Sequence, residues 1–335
     1  MVTVFKGETV NDVWLGAAKT LKEKCKMSNE LLPSRNGNMV EVCHSVFDIN
    51  NPHERFLLCR KPSISIAAAL SEIICILKGS NDAKILNYWN SGLQEHAGNA
   101  HKYHGAYGYR LRKEFGIDQI KRVYIVLKNN PKTRQAVMLL WNPIEDLPHS
   151  DGSPKNSDIP CNIVSLLKIR SNKLIWSQIM RSNDIFLGTP YNFIQFTFLQ
   201  EIIAGWLQIE TGEYTLFCDS LHYYEEDFAK ELYSQTIPNN LLNTDVFNDE
   251  YKITNNNVNY IYSVMEDISK NKFSTKKAEF ILINSKLDTK WNNILFILIA
   301  YYAHKNNNIT LQNKILLQVK NNIYLYLWNM HFNKN

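Results

Sequence analysis

The order of strand-like and helix-like segments constrains this chain most. Residues 9–30 carry apolar positions at helical spacing, and "MVEVCHSVFDI" (39–49) alternates like a strand. "SISIAAALSEIICILKG" (63–79) is a strongly apolar helix ended by glycine, the usual C-terminal stop. "IDQIKRVYIVLKNNP" (117–131) reads as an amphipathic helix stopped by Asn-Asn-Pro, and "RQAVMLLWN" (134–142) as a strand. The polar "PHSDGSPKNSD" (148–158) is a loop by composition. Strands follow at "SDIPCNIVSLLKI" (157–169) and "KLIWSQIMRS" (173–182), then a helix over 192–210 and a strand at "GEYTLFCDSLHYY" (212–224). No regular βαβ beat emerges. The pattern predicts an α+β fold with a mainly antiparallel or mixed sheet.

The character changes after about residue 236, where Asn and Lys become abundant and strand signals fade. The expected division is a catalytic domain over 1–235 and a C-terminal helical extension over 236–335. Several helices are expected across 255–332, with turns at the Asn triplets 255–257 and 306–308.

A chain of 335 residues with 45% hydrophobic and 21% charged residues can bury a sizeable core. The net charge of +5 suits an anionic ligand, and no long run of like charges marks a nucleic-acid binder. The six cysteines form no C-x-x-C pair and no secretory signal precedes them, so neither a disulfide framework nor a zinc site is expected. A reducing cytoplasm is the default. "NILFILIAYYA" (293–303) falls well short of the roughly 20 residues that cross a bilayer, which makes it a core helix.

Three segments carry candidate chemistry: Pro160-Cys161-Asn162, "MRSNDIFLGTPYN" (180–192) and "CDSLHYY" (218–224). Singly each has a plain structural explanation. A buried cysteine is usually a packing residue, and a lone histidine usually a satisfied core residue. Together they resemble the thymidylate synthase family, including its nucleotide hydroxymethylase branch. There a Pro-Cys pair heads a strand, followed at fixed distance by Arg-Ser-x-Asp-x-Phe-Leu-Gly-x-Pro-Phe-Asn and later by His-x-Tyr. Here Arg181 lies twenty positions after Cys161, and His222 forty-one after Arg181. The resemblance extends upstream to Glu72 in "SEIICILKG", Tyr107 in "HGAYGYRLR", Arg134 before "AVMLLWN" and Arg35 in "PSRNGN", covering roughly residues 30–230.

The resemblance implies a thymidylate synthase-like fold and transfer of a one-carbon unit from 5,10-methylenetetrahydrofolate to C5 of a pyrimidine nucleoside 5′-monophosphate, whether dUMP, dCMP or CMP. Cys161 would add to C6 of the ring as a thiolate, favoured by the nearby Arg181 guanidinium. Arg35, Arg134, Arg181 and Ser182 would bind the phosphate, with Arg134 donated across a homodimer. Gln135 stands where the family often has a second arginine. His222 and Tyr224 would hold the sugar hydroxyl, Asp184 the pterin ring, and Asn192 the base edge. Glu72 and Tyr107 would handle water and the C5 proton. Asn162 replaces the synthase's histidine after the nucleophile.

Methyl transfer needs the folate held in a water-free site. Trp89 in "NYWNSG" lies too close to Gly79 to match the synthase tryptophan, and "YLWNMHFNKN" has no synthase-type tail. The favoured product is therefore a 5-hydroxymethyl nucleotide. The alternatives are a thymidylate synthase making dTMP, a non-catalytic nucleotide- or RNA-binding member, and a cysteine hydrolase using Cys161 and His222. No metal, membrane or required nucleic acid is implied.

Overall fold

The computed structural model describes residues 1–27, 31–234 and 241–332. The expected boundary at 235/236 lies outside the described residues. The chain groups into two units, the first of residues 1–64, 119–141 and 161–240, the second of residues 65–118, 142–160 and 241–335.

The first unit is built on one mixed sheet. Its strands are β1 (Thr3–Gly7), β2 (Leu32–Ser34), β3 (Gly37–Ile49), β4 (Ala136–Leu139), β5 (Asn162–Arg170), β6 (Lys173–Met180), β7 (Asn183–Asp184) and β8 (Glu210–Tyr224). The order is β1-β3-β8-β6-β5-β4, with β2 on β3 and β7 on β8. The pairs β1–β3, β6–β8 and β7–β8 are parallel and the others antiparallel. The fold is thus α+β, as the unpaced order of segments implied.

Helix Val10–Met27 buries Val10, Val13, Trp14, Ala17, Ala18 and Leu21, one stripe at 3.6-residue spacing. Helix Gly188–Leu207 is apolar on nearly every side and buried along most of its length, as a helix without a polar face must be. It starts at Gly188, earlier than the 192 expected from sequence. Pro190 fits the first turn, where no intrahelical partner for its missing N–H is required. Gln200 enters this core by donating from Nε2 to the carbonyls of Leu174, Gly212 and Glu213.

The second unit is helical. Its centre is helix Ile66–Lys78, capped by the Ser65 hydroxyl at Ala68 N–H and closed by Gly79 at φ 70°. Helices Tyr251–Ser269, Thr275–Asn284, Thr289–Lys305, Ile309–Leu316 and Asn322–Phe332 belong to this unit. Lys78 Nζ donates to Asn259 Oδ1 at 2.6 Å, and Ser80 Oγ lies 2.7 Å from the Tyr262 hydroxyl. The turn expected at 255–257 is instead the interior of helix Tyr251–Ser269. Burial of Thr254, Val258, Ile261, Met265 and Ile268 at helical spacing outweighs the turn preference of three asparagines. The second triplet does follow a helix end, at Lys305. Among the described residues no helix is long and apolar enough to cross a membrane.

Candidate active site

Cys161 directly precedes β5, and Arg181 directly follows β6. The pairing of Asn162 with Met180 sets them side by side, and Arg181 N–H donates to the Cys161 carbonyl at 3.0 Å. Cys161 is a half-buried thiol. The Arg181 guanidinium lies 5.5 Å from the Trp141 ring centroid, within cation–π range. Trp141 is held by its own N–H, which donates to the Ile163 carbonyl at 3.2 Å on the strand that Cys161 heads.

The end of β8 supplies the next pair. β7 aligns Asp184 with His222, and Ile185 N–H donates to the His222 carbonyl at 2.9 Å. The His222 ring hydrogen-bonds the Ser220 backbone, while its buried Nδ1 has no partner. Burial, then the Arg181 charge, pushes the imidazole below its ordinary value, so the ring is neutral at pH 7. The Tyr224 ring lies 5.0 Å from His222. Burial raises the Tyr224 phenol, and its hydroxyl is hydrogen-bonded by the Asn36 and Ser34 side chains. Those residues flank Arg35, exposed on the β2–β3 turn, so the hairpin tip is tied to Tyr224. Cys161 stands close enough to Tyr224 and Cys218 for a charge on its thiol to be felt by both. Cys161, Arg181, Ser182, His222 and Tyr224 thus gather at one end of the sheet.

Asn192, on helix Gly188–Leu207, is buried among amides. Its Oδ1 accepts from Asn162 Nδ2 at 3.2 Å and its Nδ2 donates to Asn183 Oδ1 at 3.1 Å. Asn162 Oδ1 in turn accepts from Gln178 Nε2 at 2.9 Å. Asp184 accepts from Phe186 N–H at 2.7 Å, yet burial, with Asp227 beside it, pushes its carboxyl up to about 6.

Arg134 stands apart. Ala136, two residues after Arg134, pairs with Leu167, six residues along the chain from Cys161. At about 3.3 Å per residue that pairing lies roughly 20 Å from Cys161, beyond the reach of one arginine side chain. The structure does not bring it to the Cys161 of its own chain.

Glu72 and Tyr107 lie in the second unit. Glu72 is buried on helix Ile66–Lys78 and accepts from Asn90 Nδ2 at 3.0 Å. Tyr107 sits on the turn Tyr107–Tyr109, which rests directly on that helix. A Cβ on Gly108 would lie 2.6 Å from Ile76 Cα, so only glycine permits the approach. Trp89 is buried, donating from Nε1 to the Leu298 carbonyl at 3.4 Å.

Sequence reasoning missed Trp141, Asn90, Gln178 and Trp176. Gln178 had a readable signal. It is a polar residue in the inward phase of a strand whose other inward residues are Leu174, Trp176 and Met180. Among the described residues no group of His, Cys, Asp or Glu is arranged to hold a metal.

The Cys161 thiol, the Arg181 guanidinium, a neutral imidazole and a phenol thus stand at one end of the sheet, with the Asn192 amide linked to Asn162 beside them. The chain belongs to the thymidylate synthase family, whose model matches residues 26–239. It is 29% identical to a deoxyuridylate hydroxymethyltransferase of Bacillus phage SP01 over 239 residues, covering 68% of this chain and 60% of that protein. It is 32% identical to a thymidylate synthase of Francisella philomiragia over 181 residues, 50% of this chain and 65% of the relative. A putative thymidylate synthase of Methanothermobacter marburgensis is 34% identical over 128 residues, 38% of this chain and 54% of the relative. The chain therefore spans about 60% or less of the length of the phage hydroxymethyltransferase and archaeal relatives it matches.

Proposed function

We infer that this chain is a transferase that moves a one-carbon unit from 5,10-methylenetetrahydrofolate to C5 of a uracil nucleoside 5′-monophosphate, giving the 5-hydroxymethyl nucleotide. The observation that carries this reading is the cluster of Cys161, Arg181, His222, Tyr224 and Asn192 at one end of the sheet. The names of the phage relatives, which act on deoxyuridylate, support uracil as the base.

The Cys161 thiolate adds to C6, and the C5=C6 electron pair moves towards C5 and O4. Asn192 steadies the charge at the base edge. C5 then bonds to the one-carbon unit that the folate supplies. The two carbon–nitrogen bonds to the folate break and tetrahydrofolate leaves, while the C5 proton passes to water ordered by Glu72 with Tyr107, which leaves an exocyclic methylene on C5. Water adds to the exocyclic carbon, and the S–C6 bond breaks to return the thiolate. Arg181, Ser182 and Arg35 hold the phosphate, His222 Nδ1 and Tyr224 take the sugar hydroxyl, and Asp184 takes the pterin. The burial of Trp89 among the helices of the second unit supports the hydroxymethyl product, because that indole cannot also wall off water from the folate.

A homodimer completes the phosphate site with Arg134 from a second copy. The strand register supports it. Val4, Val46, Phe217, Ile179, Val164 and Leu139 align in one row across six strands on the less buried face of the sheet. Phe217 is 45% exposed and Leu139 46%, which suits a face covered by its own copy. Six thiols suit a reducing cytoplasm, to which we assign the protein.

The test is the product mass from dUMP, dCMP and CMP incubated with methylenetetrahydrofolate. The expected product is 5-hydroxymethyl-dUMP without dihydrofolate. A methylated product with dihydrofolate would make the chain a thymidylate synthase instead. No tritium release from C5-labelled nucleotide would make it a binding protein.

A further inference from the structure

Asn192 belongs to an amide relay that starts at a tryptophan and ends at Asn183. On the inward side of β5 and β6, Trp176 Nε1 donates to Gln178 Oε1 at 3.1 Å, and Ser165 Oγ donates to the same oxygen at 2.6 Å. Gln178 Nε2 donates to Asn162 Oδ1, Asn162 Nδ2 to Asn192 Oδ1, and Asn192 Nδ2 to Asn183 Oδ1. Every member is buried.

A carboxamide can turn over and exchange donor for acceptor, and a hydroxyl can do either. The indole can only donate. It is therefore the one member that cannot reverse, and it holds the Gln178 oxygen on its own side. Each following amide is oriented by the one before it. The relay ends with Asn183 Nδ2 buried without a partner. Its direction is kept even though a donor is stranded at the far end.

Asn192 retains one lone pair on Oδ1 and one hydrogen on Nδ2 for a ligand. Uracil offers N3–H and O4, while cytosine offers N3 and N4–H₂. A fixed amide matches only one of the two. We propose that Trp176, acting through Gln178 and Asn162, sets the orientation of Asn192 and so makes these three residues determinants of base choice. This rests on Asn192 reading the base edge, and the choice of uracil rests on the function inferred above.

Gln178→Glu tests the relay. An ionised carboxylate accepts at both ends, so Asn162 must turn its Nδ2 towards it and Asn192 must turn over in response. Asn183 turns in its turn, and its Nδ2 then donates to the Asn192 oxygen. At low pH the protonated acid can still donate to Asn162 and preserve the original direction. The dissociation constants of dUMP and dCMP should be measured by calorimetry from pH 6 to 9 for the wild type, Gln178→Glu and Trp176→Phe.

The wild type is expected to prefer dUMP at every pH. In Gln178→Glu the preference should shift towards dCMP by about tenfold or more as pH rises, the scale of one stranded buried hydrogen bond. Trp176→Phe should narrow the preference without reversing it. An unchanged ratio in both variants, each with wild-type near-ultraviolet circular dichroism, would overturn the relay. Wild-type protein that binds neither nucleotide would overturn the reading of the site and the relay with it. A wild-type preference for dCMP would overturn the uracil assignment alone, and Gln178→Glu must then shift towards dUMP.

Discussion

Two carboxyl groups are displaced in opposite directions by their surroundings. Asp184, raised to about 6 by burial, is partly protonated just below neutrality. If it accepts from the pterin as its anion, folate affinity should weaken as pH falls through about 6, and Asp184→Asn should bind weakly with no such dependence; folate titrations from pH 5 to 8 read this. Glu201 behaves oppositely. Burial alone would raise it, but Arg55 and His53 beside it hold it at about 2 against an ordinary 4.5. A depressed carboxyl stabilises the fold above the unfolded value, and the contribution is lost as pH falls from about 4.5 towards 2. It amounts to roughly 3 kcal/mol at neutral pH. Glu201→Gln should lower stability in urea at pH 7 by about that amount and flatten its decline in acid. The Glu201 cluster was not legible in the sequence, because His53, Arg55 and Glu201 come together only in the fold.

Among the elements, the strands were more legible than the helix limits. β5, β6 and β8 follow the alternation of "NIVSLLKIR", "KLIWSQIM" and "ETGEYTLFCDSLHYY". Helix Gly188–Leu207 was placed late because Leu187 offers no capping side chain to mark its start. Cys161, Arg181, Asn192 and His222 were singled out by their resemblance to a family pattern, since each alone has a plain structural explanation. Gln178 shows in the sequence only as a polar residue in an inward phase, and its link to Trp176 not at all, because that lies in which way an amide points. Gly108 is a further element-scale constraint, since a methyl there would meet the backbone of helix Ile66–Lys78. Gly108→Ala should destabilise the protein by at least about 1–3 kcal/mol, the scale of overpacking. Thermal melting reads the loss, and C5 proton exchange should fall more than dUMP affinity, because the turn carries Tyr107.

On the scale of the whole molecule, the apolar row across the sheet and the remoteness of Arg134 favour a pair of chains. Phe217→Asp should shift the protein to monomers in analytical ultracentrifugation and remove activity. Arg134→Ala and Cys161→Ala should each be inactive alone. Mixed and allowed to exchange subunits, they should recover roughly a quarter of wild-type activity, because half of the dimers then hold one intact site. Recovery no greater than in either variant alone would mean that Arg134 is not shared.

Helix Ile66–Lys78 has one more consequence, which concerns time. Twelve of its residues are buried in the finished protein, and Lys78 and Trp89 reach partners on helices that begin only at Tyr251 and Thr289. Asn259 comes 181 residues after Lys78, and Leu298 comes 209 after Trp89. At ribosomal rates of about 5–20 residues per second, the nascent helix waits roughly ten to forty seconds for its neighbours. Throughout that interval its apolar surface is open to chaperones and to other unfinished chains. Yield of this protein should therefore depend on translation speed and chaperone supply more than the stability of the completed fold would suggest.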